Sequence, residues 1–227
     1  MPLYEYWLLS LPFIAAMTGG MFASFFPLKK KSGLKLILSF SGAFLLGITV
    51  FELFPKIFSE GNKQMSVFLM GGILFQIILE YFSKGAEHGH YNRSDLNIFP
   101  LTIWLSLSLH ALLEGMPLSN QVELTYGIII HKIPIGMILY LMMVKTKIPV
   151  KIIWTGLLLF SLMTPLGNML MTHTPSLLIN QPEITAWVAG MILHISTTII
   201  FESTDDHNLN YKKLSIILLG IVLAYII

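Results

Sequence analysis

Long apolar blocks separated by short polar connections run along this chain at residues 6–28, 34–58, 65–83, 98–119, 124–144, 150–171, 183–202 and 211–227. A helix needs about 20 apolar residues to cross a bilayer core of about 30 Å, and each block approaches that length. The pattern therefore predicts eight transmembrane helices and leaves almost nothing for a soluble domain. The opening segment MPLYEYWLLSLPF lacks a basic leader and a small-residue cleavage site, and its apolar run continues past signal-peptide length, so it reads as a first span rather than a removed signal. With no tandem repeat and no low-complexity linker, residues 1–227 read as one transmembrane domain of an all-α integral membrane protein.

Composition strengthens this assignment. Hydrophobic residues make up 55% of the chain and charged ones 11%, against roughly a quarter charged in an ordinary soluble domain. The formal net charge of +2 is unevenly distributed and gives no reason to expect a nucleic-acid partner; the lipid bilayer is the expected surrounding. The absence of cysteine excludes disulfides and thiolate metal sites. Lys29, Lys30, Lys31, Lys35, Lys84, Arg93, Lys145, Lys147, Lys151, Lys212 and Lys213 all fall on the odd-numbered connections, whereas the opposite side holds Lys56 and Lys63. Positive charge marks the cytoplasmic side, so both termini are expected outside, and an odd number of spans would scramble the separation.

Against this background the ionisable residues inside the spans stand out. Such groups cost about 2.5–3.5 kcal/mol at mid-bilayer on insertion scales, so they face the bundle interior and mark pathways. In LHALLEGMPLS, His110 and Glu114 lie four residues apart and so share one helix face. The next span carries His131 and Lys132 in IIIHKIPIGMIL. A short connection joins spans four and five, which predicts an antiparallel hairpin; at about 1.5 Å per residue, Glu114, His131 and His110 then lie about 11, 14 and 17 Å from its turn. Two imidazoles and a carboxylate converging at one depth suit a divalent transition metal, zinc foremost. Hydrogen bonding between helices is the competing use of the same groups. Pro117 and Pro134 nearby remove backbone donors, and irregular backbone at membrane depth is tolerated where it lines a cavity or packs in protein.

At these residues the chain resembles the Zrt/Irt-like (ZIP) family of metal transporters. HALLEGMPLS is similar to the family's fourth-span signature and HKIPIG to its fifth; SGAFLLGITVFELFPK, SLMTPLGNML and AGMILHISTTIIFES are similar to the second, sixth and seventh spans, and AEHGH to a short histidine-bearing third connection. The resemblance implies transport of zinc, iron, manganese, cadmium or a related divalent cation into the cytoplasm. It also implies a 3+2+3 arrangement of eight spans, often dimeric, in which a transport bundle moves against a scaffold. Carried over residue by residue, His110, Glu114 and His131 match the primary metal ligands, and Asn168, after the Thr164-Pro165-Leu166-Gly167 break, is a candidate amide-oxygen ligand at the sixth-span kink. The metal is cargo rather than a catalytic cofactor, and the location implied is the plasma membrane, crossed many times.

One departure bears on the chemistry. Where the family often has glutamate four residues after the fifth-span histidine, this chain has Ile135. The loss removes an anionic ligand, while Lys132 offers an ammonium that either takes a second-metal position electrostatically or ion-pairs with Glu114. One transported metal is therefore expected, not two, with weaker affinity or shifted preference. Beyond the primary set, His194 is a path or packing residue in span seven; Glu52 and Glu202 sit near span ends, outside and inside respectively; Glu87, His88, His90, Asp205, Asp206 and His207 are candidates to collect a released cation; His173 reads as an exposed loop residue; Met116 and Met137 read as packing.

Other functions stay in view. An intramembrane metal-dependent hydrolase would use an open coordination position to activate water, but it calls for a third firm ligand and a separate base, and neither a His-Glu-x-x-His nor a Gly-x-Ser-x-Gly motif occurs. A transport-inactive, metal-sensing relative and a proton-coupled carrier of organic solutes are the remaining alternatives.

Overall fold

The computed structural model describes residues 3–26, 31–59, 63–83, 85–86, 100–146, 148–202 and 211–227. Segments in lipid must satisfy their backbone hydrogen bonds internally, and the described residues accordingly form helices and contain no strand. The elements are α1 (Leu3–Phe25), α2 (Lys31–Ile48), α3 (Phe54–Phe58), α4 (Lys63–Ser83), α5 (Leu101–Gly115), α6 (Val122–Val144), α7 (Val150–His173), α8 (Pro175–Ile179), α9 (Gln181–Glu202) and α10 (Tyr211–Ile226). Among the described residues, six helical stretches are long and apolar enough to cross a membrane: Gly33–Phe58, Lys63–Ser83, Leu101–Asn120, Val122–Val144, Val150–His173 and Gln181–Glu202. The first and eighth expected spans fall on α1, whose apolar run Ser10–Phe25 is shorter, and on the 16-residue α10.

Proline accounts for where the helices depart from simple rods. The ring nitrogen of Pro55 cannot donate to the carbonyl four residues back, and the turn before it widens: Thr49–Leu53 is a π-helical segment in which the Phe54 N–H donates to the Thr49 carbonyl. The second span is therefore α2, a π turn and α3 in succession rather than one uniform helix. Pro117 acts similarly on the fourth span. Here α5 ends at Gly115, the Met116 N–H donates to Leu113, and Met116–Asn120 tightens into a 3₁₀ turn. By contrast α6 and α7 continue through Pro134 and Pro165, so the break expected at Thr164–Gly167 does not interrupt the helix. Nor is His173 in a loop; it belongs to the last turn of α7, exposed, with its Nδ1 3.0 Å from the Met169 carbonyl.

The helices gather in two groups. In one, α1 packs on α6 and α7, and α5 and α6 each pack on α7; in the other, α4 packs on α9, and α2 on α9 and α10. The groups meet where α2 lies along α6 and α4 along α5. The expected hairpin of spans four and five is not a closely packed one. Only Gln121 separates the 3₁₀ turn from α6, yet α5 and α6 each pack chiefly on other helices. The gap between them is bridged by long ionisable side chains rather than by apolar interdigitation.

Seams of small residues set these contacts, as expected where lipid is as apolar as leucine and close van der Waals approach must hold helices together. Between α5 and α7 the fit is reciprocal: a Cβ on Gly115 would collide with the Thr164 carbonyl oxygen, and one on Gly167 with that of Leu112. Gly33 in α2, by contrast, has open space around it. Gly167→Ala should therefore destabilise the protein by about 1–3 kcal/mol through overpacking, whereas Gly33→Ala should be neutral or stabilising by up to about 1 kcal/mol. Thermal unfolding of the purified proteins in detergent checks the contrast, and equal stability of the two variants would contradict it.

Candidate metal site

Glu114 stands in the last turn of α5, directly before Gly115, and is 1% exposed. The close seam at Gly115 draws Thr164 of α7 alongside, and its Oγ1 donates to Glu114 Oε1 at 3.2 Å. The same carboxylate oxygen forms an ion pair with Lys132 Nζ of α6. Lys132 is itself fully buried, its ammonium 4.6 Å from the centroid of the Phe160 ring on α7, a favourable place for a cation on an aromatic face. Of the two roles open to Lys132, pairing with Glu114 is the one the geometry displays.

The other carboxylate oxygen faces the imidazoles. His110, one turn before Glu114, brings Nε2 to 3.2 Å from Glu114 Oε2, but the two are not aligned for a hydrogen bond and neither has another such partner among the described residues. Its Nδ1 lies 3.0 Å from Oε1 of Gln76 on α4. His131 of α6 completes the group, its ring centroid 6.4 Å from that of His110 and the planes inclined at 79°. One ligand atom from each of His110, Glu114 and His131 lies within 4.8 Å of the others. Ligand atoms around a tetrahedral zinc with bonds of about 2.0–2.2 Å stand about 3.3 Å apart; His110 and Glu114 already have that separation, and His131 needs only a small inward shift.

Three of the four residues expected at the site are thus together. The fourth, Asn168, is buried one turn beyond Thr164 on the same face of α7, and its Nδ2 has no hydrogen-bond partner among the described residues. Ile135 is buried within the apolar core one turn after His131. His194 lies elsewhere, its Nε2 2.6 Å from Oε2 of Glu80 on α4, while the hydroxyls of Ser196, Thr197 and Thr198 bond back to carbonyls of their own helix. Glu52 falls in the π turn, where Lys56 lies 3.6 Å from it and 2.9 Å from Glu123. Glu202 ends α9 exposed. Met137 is packed in the interior and Met116 half-buried. Glu87, His88, His90, Asp205, Asp206 and His207 lie outside the described residues. Sequence reasoning missed Gln76, Glu80, Thr164 and Phe160 as partners; a lone glutamine within GGILFQIILE was the available signal for the first.

Apolar helices of membrane-crossing length around a buried cluster of two histidines and a glutamate mark a helical membrane protein. The sequence profile of the ZIP zinc transporter family matches residues 84–227, and the chain belongs to that family. No curated protein matches it significantly. Family membership and the apolar helices together make it a multi-pass integral membrane protein of the metal-transport class, whose members are transporters and not enzymes.

The buried pair gives a direct stability prediction. Removing one partner of a buried ion pair costs about 3–5 kcal/mol, because the other charge is left uncompensated. Lys132→Met should lose stability on that scale in chelator-treated protein, and Lys132→Met combined with Glu114→Gln should recover most of it. Unfolding midpoints of the three proteins decide the matter; a double variant no more stable than the single one would show that the two groups are not coupled.

Proposed function

We propose that the protein carries one divalent transition-metal cation at a time, zinc foremost, into the cytoplasm through a site made by His110, Glu114 and His131 between α5 and α6. The observation that carries this reading is the buried convergence of two imidazoles and a carboxylate whose ligand atoms lie within 4.8 Å of one another. A hydrated cation loses water on reaching membrane depth, and the lone pairs of the two rings with Oε2 of Glu114 replace it. Asn168, on the Thr164 face of α7, contributes its amide oxygen as a further ligand. Residues 1–227 act as one transport domain with eight crossings in the 3+2+3 order, and the distribution of lysine and arginine puts both termini outside. The membrane is the plasma membrane.

Lys132 sets the number of ions. Its ammonium neutralises Oε1 of Glu114, where a second cation would otherwise sit, and Ile135 offers no ligand in compensation. Two neutral imidazoles, one carboxylate and one ammonium sum to zero charge, so a bound divalent cation leaves the site at +2. Such a charge is poorly tolerated in a low-dielectric interior, and the consequence is modest affinity with ready release.

Purified protein in liposomes, offered zinc, cadmium, iron(II) and manganese, should show metal uptake that falls to near background in both His110→Ala and His131→Ala. Undiminished flux in these variants would leave the pair a structural role. Ile135→Glu returns an anionic ligand one turn from His131 and should tighten zinc binding about tenfold or more, or reorder the metals. Unchanged affinity and preference would show that this position does not reach the ion.

A further inference from the structure

Gln76 is a polar residue with no exposure in an otherwise apolar stretch of α4. Its amide oxygen meets Nδ1 of His110 at 3.0 Å, across the boundary between the two helix groups, since α4 packs on α9 and α5 on α7. An amide oxygen only accepts, so the ring nitrogen it faces must donate. A neutral imidazole carries one N–H, and placing it on Nδ1 leaves the lone pair on Nε2. Nε2 is the nitrogen that stands 3.2 Å from Glu114 Oε2. With the proton on the other nitrogen, His110 would turn an N–H toward the cation position and could not ligate there.

We infer that Gln76 is a positioning residue that holds His110 in its metal-binding tautomer and ring orientation from the opposite helix group. This rests on the reading of His110 as a metal ligand. Because the hydrogen bond spans two groups, it exists only when α4 and α5 are in this register. A relative displacement of the groups by a few ångströms breaks it and frees the ring to rotate or exchange its proton. Readiness of the ligand is thereby tied to the arrangement of the helices. Ser106 Oγ, which donates to the Leu79 carbonyl at 2.6 Å, fixes the same register one turn away, so Gln76 faces the ring without having to hold the helices together itself.

The test has a readout independent of transport. In protein with nitrogen-15-labelled histidine, freed of metal at mildly alkaline pH, the His110 signal is assigned by its loss in His110→Ala. It should show an Nδ1-protonated ring. Gln76→Met, close in shape but without an acceptor, should lose that preference and bind zinc about 10- to 100-fold more weakly, the cost typical of removing a hydrogen-bonding partner behind a metal ligand. Gln76→Glu, which keeps an acceptor, should restore both the tautomer and the affinity. A wild-type ring protonated on Nε2 overturns the inference whatever the variants do, as does a Gln76→Met protein with unchanged tautomer or unchanged zinc affinity. If instead His110→Ala itself leaves zinc binding intact, the ligand assignment fails, while the tautomer measurement still reports on Gln76.

Discussion

A carboxylate held away from water at membrane depth is the demand around which the helices are arranged. An isolated buried charge costs more than the whole net stability of a domain, so Glu114 must be compensated on every side. Lys132 from α6 and Thr164 from α7 share one of its oxygens, and His110 on its own helix faces the other. Three helices are thereby committed to one another through a single side chain. The same commitment brings ligand atoms of His110, Glu114 and His131 within 4.8 Å of one another, the grouping on which the proposed cation site rests.

Backbone proximity makes that arrangement reachable. Gly115 follows Glu114 directly, and the carbonyl that occupies the place of its missing side chain belongs to Thr164, the residue whose hydroxyl donates to the carboxylate. Gly167, next to Asn168, meets α5 in the same manner. The α5–α7 seam thus packs closely, while α5 and α6 pack chiefly on other helices and meet through His110, Glu114, His131 and Lys132. Where the helices touch, small residues allow it; where they part, ionisable ones fill the gap. The ammonium of Lys132 pairs with Glu114 inside this cluster, and on the proposed reading that is what limits the site to one ion.

Much of this was written in the linear pattern. The apolar blocks locate the long helices to within a few residues, since burial in lipid demands uninterrupted apolar length. The four-residue interval between His110 and Glu114 fixes their common face. Other features depended on tertiary context. Pro55 and Pro117 announce irregularity but do not specify a π turn in one case and a 3₁₀ turn in the other, nor that Pro134 and Pro165 would be absorbed without interruption. A short connection suggested that α5 and α6 pack as a hairpin, yet connection length constrains only their ends. Lys132 had two roles open to it because only tertiary packing decides whether its ammonium reaches Glu114. Gln76 has no partner in sequence at helical spacing; its meaning comes from His110, 34 residues away on another helix.

The central claim is that a cation occupies the space between the two imidazoles and the free oxygen of Glu114. X-ray absorption at the zinc edge, on purified protein loaded with one equivalent, tests it most directly. The account predicts a shell of nitrogen and oxygen at about 2.0–2.2 Å, with outer-shell scattering from two imidazole rings that falls to one ring in His131→Ala. A shell containing sulfur, or one of oxygen alone without imidazole scattering, would contradict it.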